Sequence, residues 1–361
     1  MPKSLIFKQP CLDSSKKRND SFSRFARDWA GHEFLSQVKS KELSVPQFYG
    51  GSIKHQFIFL EDLGEHHESL VDYLSNDNKN HAIDALHRFM KCLGQLHTSG
   101  YGKTDLYFNI LRKLNPDMAS CQEDLKMTFA TLVPELKSAF KIFSISQSEN
   151  LWSEINMVIK SCLEPGLFTT FIHGDNCPDN VFKNPDKDEL YLIDFECGTV
   201  RSALLDATYL RMSMPTCWYS NAIPEDLINS LETTYREELI KKIPAAKDNE
   251  AYHTAYTNAC AFWMLYIIAE VEKFMFKDIY NSGSISEKCF SKSDKNSGRS
   301  RTLSRLQAFV CISKKNDKLL HLRSAAEEIL EKLKSMWPNA KPLDFYPVFR
   351  EKKPFSKKEK T

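Results

Sequence analysis

The first glycine of this 361-residue chain is Gly31, so no glycine-rich loop of the kind that cradles phosphate can lie in its first thirty residues. Ten cysteines are present, yet none forms a C-x-x-C pair and none stands at zinc-finger spacing from a histidine, which argues against a ribbon or finger module. No secretory signal peptide is recognisable, so these thiols are expected to be reduced and the protein cytoplasmic. Charge of one sign is also lacking. The formal net charge is +2, and no basic stripe alternates with aromatics, so a nucleic-acid partner is not expected. The longest apolar run, residues 259–269, is too short to cross a bilayer and suits a buried helix, so no membrane partner is expected either. No internal repeat is present.

What is there is enough for a sizeable core. With 42% hydrophobic and 27% charged residues, the chain reads as globular and long enough for two lobes. Its most informative segment is His173-Gly174-Asp175-Asn176-Cys177-Pro178-Asp179-Asn180, followed after thirteen intervening residues by Asp194 in Ile193-Asp194-Phe195-Glu196. Residues 167–172 are β-branched and aromatic, so the chain should reach His173 extended. Gly174 permits a sharp turn and Pro178 stiffens the loop, leaving Asp175 on a fixed support. Apolar sequence resumes at Val181, turn residues occupy 184–188, and 189–195 reads as a second strand ending near Asp194. Such a hairpin brings Asn180 and Asp194 together. An amide and a carboxylate oxygen are hard ligands suited to Mg²⁺. A carboxylate to receive a hydroxyl proton, with an amide and a second carboxylate to hold magnesium, is the set that phosphoryl transfer from a nucleotide requires.

This segment resembles the catalytic region of the aminoglycoside phosphotransferase and choline kinase family, whose fold is protein-kinase-like. The likeness runs in order from about residue 5 to 215 and is specific only over 171–206. It implies an α+β, bilobal fold: a small antiparallel-sheet lobe over 1–62, a mainly helical catalytic and acceptor-binding lobe over 63–349, and a basic tail over 350–361. By resemblance, Asp175 is the catalytic base, Asn180 and Asp194 are the metal ligands, and His173 and Asp206 support the catalytic loop. The strand at 5–8 ends in Lys8, which the resemblance implies is the lysine that steadies the nucleotide phosphates, and Glu33, in a helix over 22–38, is its expected partner. Residues 56–60 form a strand leading into Glu61-Asp62-Leu63-Gly64, where the backbone around Glu61 and Leu63 would meet adenine. ATP or GTP with Mg²⁺ is the implied cofactor, and a small-molecule hydroxyl compound, such as an amino sugar or amino alcohol, the acceptor. Glu196 and acidic residues after it are candidates for a cationic acceptor or for a structural role.

Only four residues precede the lysine strand, where related small lobes carry two strands and a phosphate-covering loop. The expectation is therefore a shortened small lobe with an exposed sheet edge, which also keeps open a non-catalytic, kinase-like binding or regulatory module. A protein kinase fits less well, because Gly174 stands where those enzymes favour arginine and Glu196 where they have glycine. Cys177 and Cys197 flank the site, either as reactive thiols or as packing residues. Elsewhere, helices are expected at 81–96 (ending near His97, read as structural), twice within 117–162, and at 225–242, 251–280 and 319–336. Residues 281–304 read as a mobile loop. Oligomeric state is left open.

Overall fold

The computed structural model describes residues 4–10, 18–38, 43–65, 67–118, 120–184, 189–276 and 296–351. It opens with a three-stranded antiparallel sheet in the order β1 (Leu5–Lys8), β3 (Phe57–Glu61), β2 (Phe48–Ser52). Leu5 faces Glu61 and Lys8 faces Ile58, which fixes the register of β1. Helix α1 (Arg18–Val38) covers one side of this sheet, closing a small cluster of Phe25, Ile58 and Leu60 with Phe22, Trp29 and Phe48 around it. Leu5, Ile6 and Phe7 of β1 remain exposed.

The opposite stripe of α1 belongs to the second, larger core. Ala26, Ala30 and Phe34 are fully buried there. The small size of Ala30 and Gly31 lets the helix approach closely, and a Cβ on Gly31 would lie 2.8 Å from the Cβ of Phe195. The first sheet is thus bolted through α1 to the loop that carries Asp194.

Past β3 the chain passes through β4 (Glu68–Ser69) and α2 (Leu70–Ser75) into α3 (Lys79–Gly100). The Asn78 side chain caps α3 by accepting from His81 N–H, and its face from Leu86 to Leu96 is buried. Helices α4 (Thr104–Leu114), α5 (Cys121–Ile142), α6 (Glu149–Leu163), α8 (Glu225–Ile240), α9 (Asn249–Ala269), α10 (Glu272–Phe276), α11 (Gly298–Asn316) and α12 (Leu320–Met336) build the rest of the large lobe. Residues 259–269 lie in α9, apolar nearly all round and buried, and among the described residues no helix is long and apolar enough to cross a membrane. The loop expected at 281–304 is corrected in part. Residues 281–295 lie outside the described residues, but 298–304 are the first turns of α11, capped by the Ser297 hydroxyl on Ser300 N–H. Most of the basic tail, 352–361, is likewise outside them.

Two short pairings position the site. Strand β5 (Thr169–Ile172) pairs antiparallel with β8 (Thr199–Ser202), placing the loop after β5 beside the one before β8. Strand β6 (Val181–Asn184) pairs with β7 (Glu189–Leu192), Val181 facing Leu192. The expected second strand therefore stops at Leu192, two residues before Asp194. The short helix α7 (Leu204–Ala207) follows β8 and carries Asp206.

Candidate active site

The loop from His173 to Asn180 is held from beneath by one buried carboxylate. Asp206 Oδ2 accepts His173 N–H at 2.7 Å, and Oδ1 accepts Gly174 N–H at 3.1 Å. His97 Nε2 lies 3.1 Å from the same Oδ2, and its Nδ1 is 2.6 Å from the Tyr235 hydroxyl. Asp206, His97 and His173 have no exposed surface. A buried anion needs such saturation to be tolerated. His97 thus links the end of α3 to the loop through Asp206, in keeping with its structural reading.

His173 spans the loop internally. Its Nε2 is 2.9 Å from the Ile193 carbonyl, which can only accept, so that nitrogen carries the proton, and Nδ1 receives Asp175 N–H at 3.4 Å. The ring therefore joins the two halves of the site, with both nitrogens used.

Asp175 is half-buried. Its Oδ1 accepts from the Tyr209 hydroxyl at 3.1 Å, from the Cys177 thiol at 3.1 Å, and from the Thr216 hydroxyl. Its Oδ2 has no hydrogen-bond partner among the described residues. One oxygen is thus fixed by three donors while the other is engaged by none of the described residues. Tyr209 and Thr216 were not foreseen in the sequence. They sit in an apolar stretch and an irregular loop, where neither periodicity nor motif singles them out.

Asn180 is buried, and its Nδ2 donates to the Asp175 carbonyl at 2.8 Å, which leaves its amide oxygen as the outward donor atom. Its own carbonyl accepts Ile193 N–H at 3.1 Å, so the hairpin sets Asn180 beside Asp194. Asp194 is left-handed, with φ +66° and ψ +67°, an uncommon conformation for a residue bearing a side chain. That turn takes it out of line with β7 and brings its carboxylate to Lys8 Nζ, 2.5 Å from Oδ1.

Lys8 does not meet Glu33. Its helix partner is Asp28, whose Oδ2 is 2.7 Å from Nζ. Glu33 lies five residues further along α1 and is engaged by Trp29 Nε1 at 2.7 Å and Gln37 Nε2 at 3.1 Å. The sequence pointed to Glu33 and did not single out Asp28, but β1 meets the helix at the level of Asp28. Asp28 is 4% exposed and does more than pair with lysine. Its Oδ1 accepts Phe195 N–H at 3.0 Å and lies 3.5 Å from His32 Nε2. Burial opposes charge on both partners, but the attraction of Lys8 and then His32 holds Asp28 well below the usual carboxylate range, and Asp28 and then Asp194 hold the Lys8 ammonium above its ordinary value. Lys8 and Asp28 are therefore both ionised at neutral pH.

Glu196 pairs with Arg24 at 2.8 Å. Burial and then the nearby Asp194 raise its carboxyl above the usual range, against the pull of Arg24. Its charge is thus already matched within the chain.

A cavity of about 570 Å³ lies between the two lobes, lined by Ile6, Lys8, Leu60 to Glu65, Phe182, Ile193 and Asp194 among others. Of the two expected adenine contacts, the Glu61 amide already donates to the Gln47 carbonyl at 2.9 Å. Neither the N–H nor the C=O of Leu63 has a partner among the described residues. The cleft therefore has apolar walls, an uncommitted peptide at Leu63 and, at Lys8 and Asp194, a cation against a carboxylate. Asn180 and Asp194 offer hard oxygen donors, the kind that could hold a magnesium ion.

The family model described as "Phosphotransferase enzyme family" (APH) matches residues 30–237, more than half of the chain. No curated protein matches. Among solved structures, the chain is similar to choline kinase LicA from Streptococcus pneumoniae, with 15% identity, 85% of this chain and 86% of that one covered, and a TM-score of 0.40. It is similar also to the GDP complex of wild-type aminoglycoside 2'-phosphotransferase-IIIa (11% identity, 88% and 94% covered, TM-score 0.43). A third is Plasmodium vivax ethanolamine kinase (13%, 87% and 78%, TM-score 0.42).

Proposed function

Since the chain belongs to the phosphotransferase enzyme family, we propose that it moves the γ-phosphate of ATP or GTP to a hydroxyl of a small molecule, an amino sugar or amino alcohol, with Asp175 as base. The observation that carries this reading is the contact of Lys8 with Asp194 in one cleft, with Asn180 tied through its carbonyl to the neighbouring Ile193. Lys8 faces the cleft as a cation and neutralises phosphate charge. Asn180 and Asp194 would hold Mg²⁺, which when bound supplies further neutralisation of the phosphates. Leu63 offers its peptide to the base of the nucleotide. Asp175 orients the acceptor hydroxyl with its free oxygen and receives the proton as the new ester bond forms. Positioning of this kind supplies most of the acceleration in phosphoryl transfer. Small-lobe residues 1–62, catalytic-lobe residues 63–349 and a tail at 350–361 remain our division of the chain.

The test is a screen of hydroxyl acceptors with Mg·ATP and Mg·GTP, followed by nucleoside diphosphate release. Asp175→Ala should lower kcat by at least about 100-fold while leaving nucleotide affinity intact. Undiminished turnover in that variant would remove Asp175 from the mechanism. Nucleotide binding without transfer to any acceptor would favour a non-catalytic module, a reading against which the shared placement of all three polar groups speaks.

A further inference from the structure

Beside the catalytic loop lies a cluster that the phosphotransfer reading does not use. The thiols of Cys177 and Cys217 and a carboxylate oxygen of Asp179 all lie within 4.8 Å of one another. Both cysteines are buried, at 4% and 0% exposure, and all eight cysteines among the described residues are free thiols. Asp179 Oδ2 is fixed by Trp218 Nε1 at 2.6 Å, while Oδ1 is buried with no hydrogen-bond partner among the described residues. A buried carboxylate oxygen left without a donor is costly, and it points to a missing positive partner.

We propose that Cys177, Asp179 and Cys217 form a binding site for a soft divalent cation of the zinc class. Two sulfurs and one oxygen are a zinc-type donor set, unlike the all-oxygen pair of Asn180 and Asp194. Two thiolates at about 2.3 Å from a tetrahedral ion stand about 3.8 Å apart, so the cluster needs little contraction. Trp218 supplies the outer hydrogen bond that orients a ligating carboxylate. The fourth position would belong to a water on the side of the exposed Thr216, whose hydroxyl is 3.9 Å from Cys177 Sγ. The spacing of the three ligands, 177, 179 and 217, matches no local motif, which is why sequence alone does not display them. Binding releases both thiol protons. Cys177 then no longer donates to Asp175 Oδ1, the contact now 3.1 Å long. Occupancy would thus reach the carboxylate assigned above as the base.

The experiment is a titration of Co²⁺ into the full chain, with a non-thiol reductant present and Mg²⁺ in excess over the hard-oxygen pair. It reads binding and needs no activity, so it can fail without touching the phosphotransfer reading. One equivalent should produce a thiolate-to-cobalt charge-transfer band in the near ultraviolet, and Zn²⁺ should displace it. Cys217→Ser should weaken binding by more than about 100-fold, and Trp218→Phe by about 10- to 100-fold. Cys197→Ser, outside the cluster, should leave the band unchanged. No band in the wild type, or a band that survives Cys217→Ser, overturns the site. If Cys217→Ser does not fold, Trp218→Phe decides, and wild-type affinity in that variant overturns the site equally.

Discussion

Gly174 shows what one atom would do at this site. Its φ is +76°, and a Cβ built on it would lie 2.4 Å from the carbonyl oxygen of Cys197. Neither the left-handed backbone nor that backbone contact can relax cheaply, because β5 and β8 are paired on either side. Gly174→Ala should therefore cost about 2–4 kcal/mol, combining left-handed strain with overpacking, and kcat should fall as the Asp175 loop shifts. Denaturant midpoints at unchanged slope would measure the first effect, and steady-state turnover the second. A variant of wild-type stability would show that the loop has room to move. The sequence displayed this residue, since glycine beside Asp175 between strand-like segments has one obvious use. It did not display Tyr209 or Thr216, which meet Asp175 only because distant segments converge. Pairwise contact across 34 and 41 positions leaves no local signal.

Among the elements, the joint of β1, α1 and the turn after β7 is the most informative. Asp28 holds Lys8 on one strand and the Phe195 amide on the turn, so it ties together the parts that shape the inner cleft. Asp28→Asn should weaken Mg·nucleotide binding by about 10- to 100-fold, in line with the loss of a charged hydrogen bond. Glu33→Gln should change it little, since among the described residues Glu33 meets only Trp29 and Gln37. Isothermal titration of both variants separates the two acids, and the reverse ranking would restore Glu33 as the partner. The helix and its apolar stripe were legible in the periodicity, but a stripe does not say which turn faces a neighbouring strand. The packing of β1 over α1 decides that.

A second joint, between α5 and β8, carries a pH dependence. Arg201 grips Asp124 through Nε at 2.5 Å and Nη2 at 2.7 Å, and the two side chains are 18% and 9% exposed. Burial disfavours the Asp124 anion, but the Arg201 charge and these bonds outweigh it and lower the carboxyl below its ordinary value. The stability from this pair is fully present above the unfolded carboxyl's pKa of about 3.9 and is lost as pH falls through the lowered folded value. Asp124→Asn leaves the Arg201 charge buried and should cost about 3–5 kcal/mol at neutral pH. Urea unfolding of wild type and variant at pH 7 and at pH 3 should show that gap narrowing in acid. A gap that stays constant would mean that packing, and not charge, holds the joint.

At the scale of the whole molecule, the cleft is a boundary that belongs to neither lobe alone. Ile6, Lys8 and residues 60–65 come from the sheet side, and Phe182, Ile193 and Asp194 from the hairpin of the large lobe. The two sides meet at this place through Lys8 and Asp194. A nucleotide bound here would contact both sides and so stabilise the folded chain as a unit. At a hundred times its dissociation constant, Mg·ATP should add about 2.7 kcal/mol. For a chain of this length that corresponds to a rise in Tm of about 3–4 °C. The rise should depend on Mg²⁺ and should shrink in Asp194→Ala, which loses an oxygen donor and the Lys8 counter-charge together. The architecture around the cleft was largely readable beforehand, because strand alternation, helix periodicity and two short motifs all act over a few residues. The commitment of the Glu61 amide to Gln47, with the Leu63 peptide left without a partner among the described residues, was not, since it depends on how a loop folds back along β3. Scanning calorimetry with and without Mg·ATP therefore tests the cleft as an assembly of both lobes. A folded protein whose Tm ignores the nucleotide, at concentrations where related sites would be saturated, would mean that this cleft does not hold it.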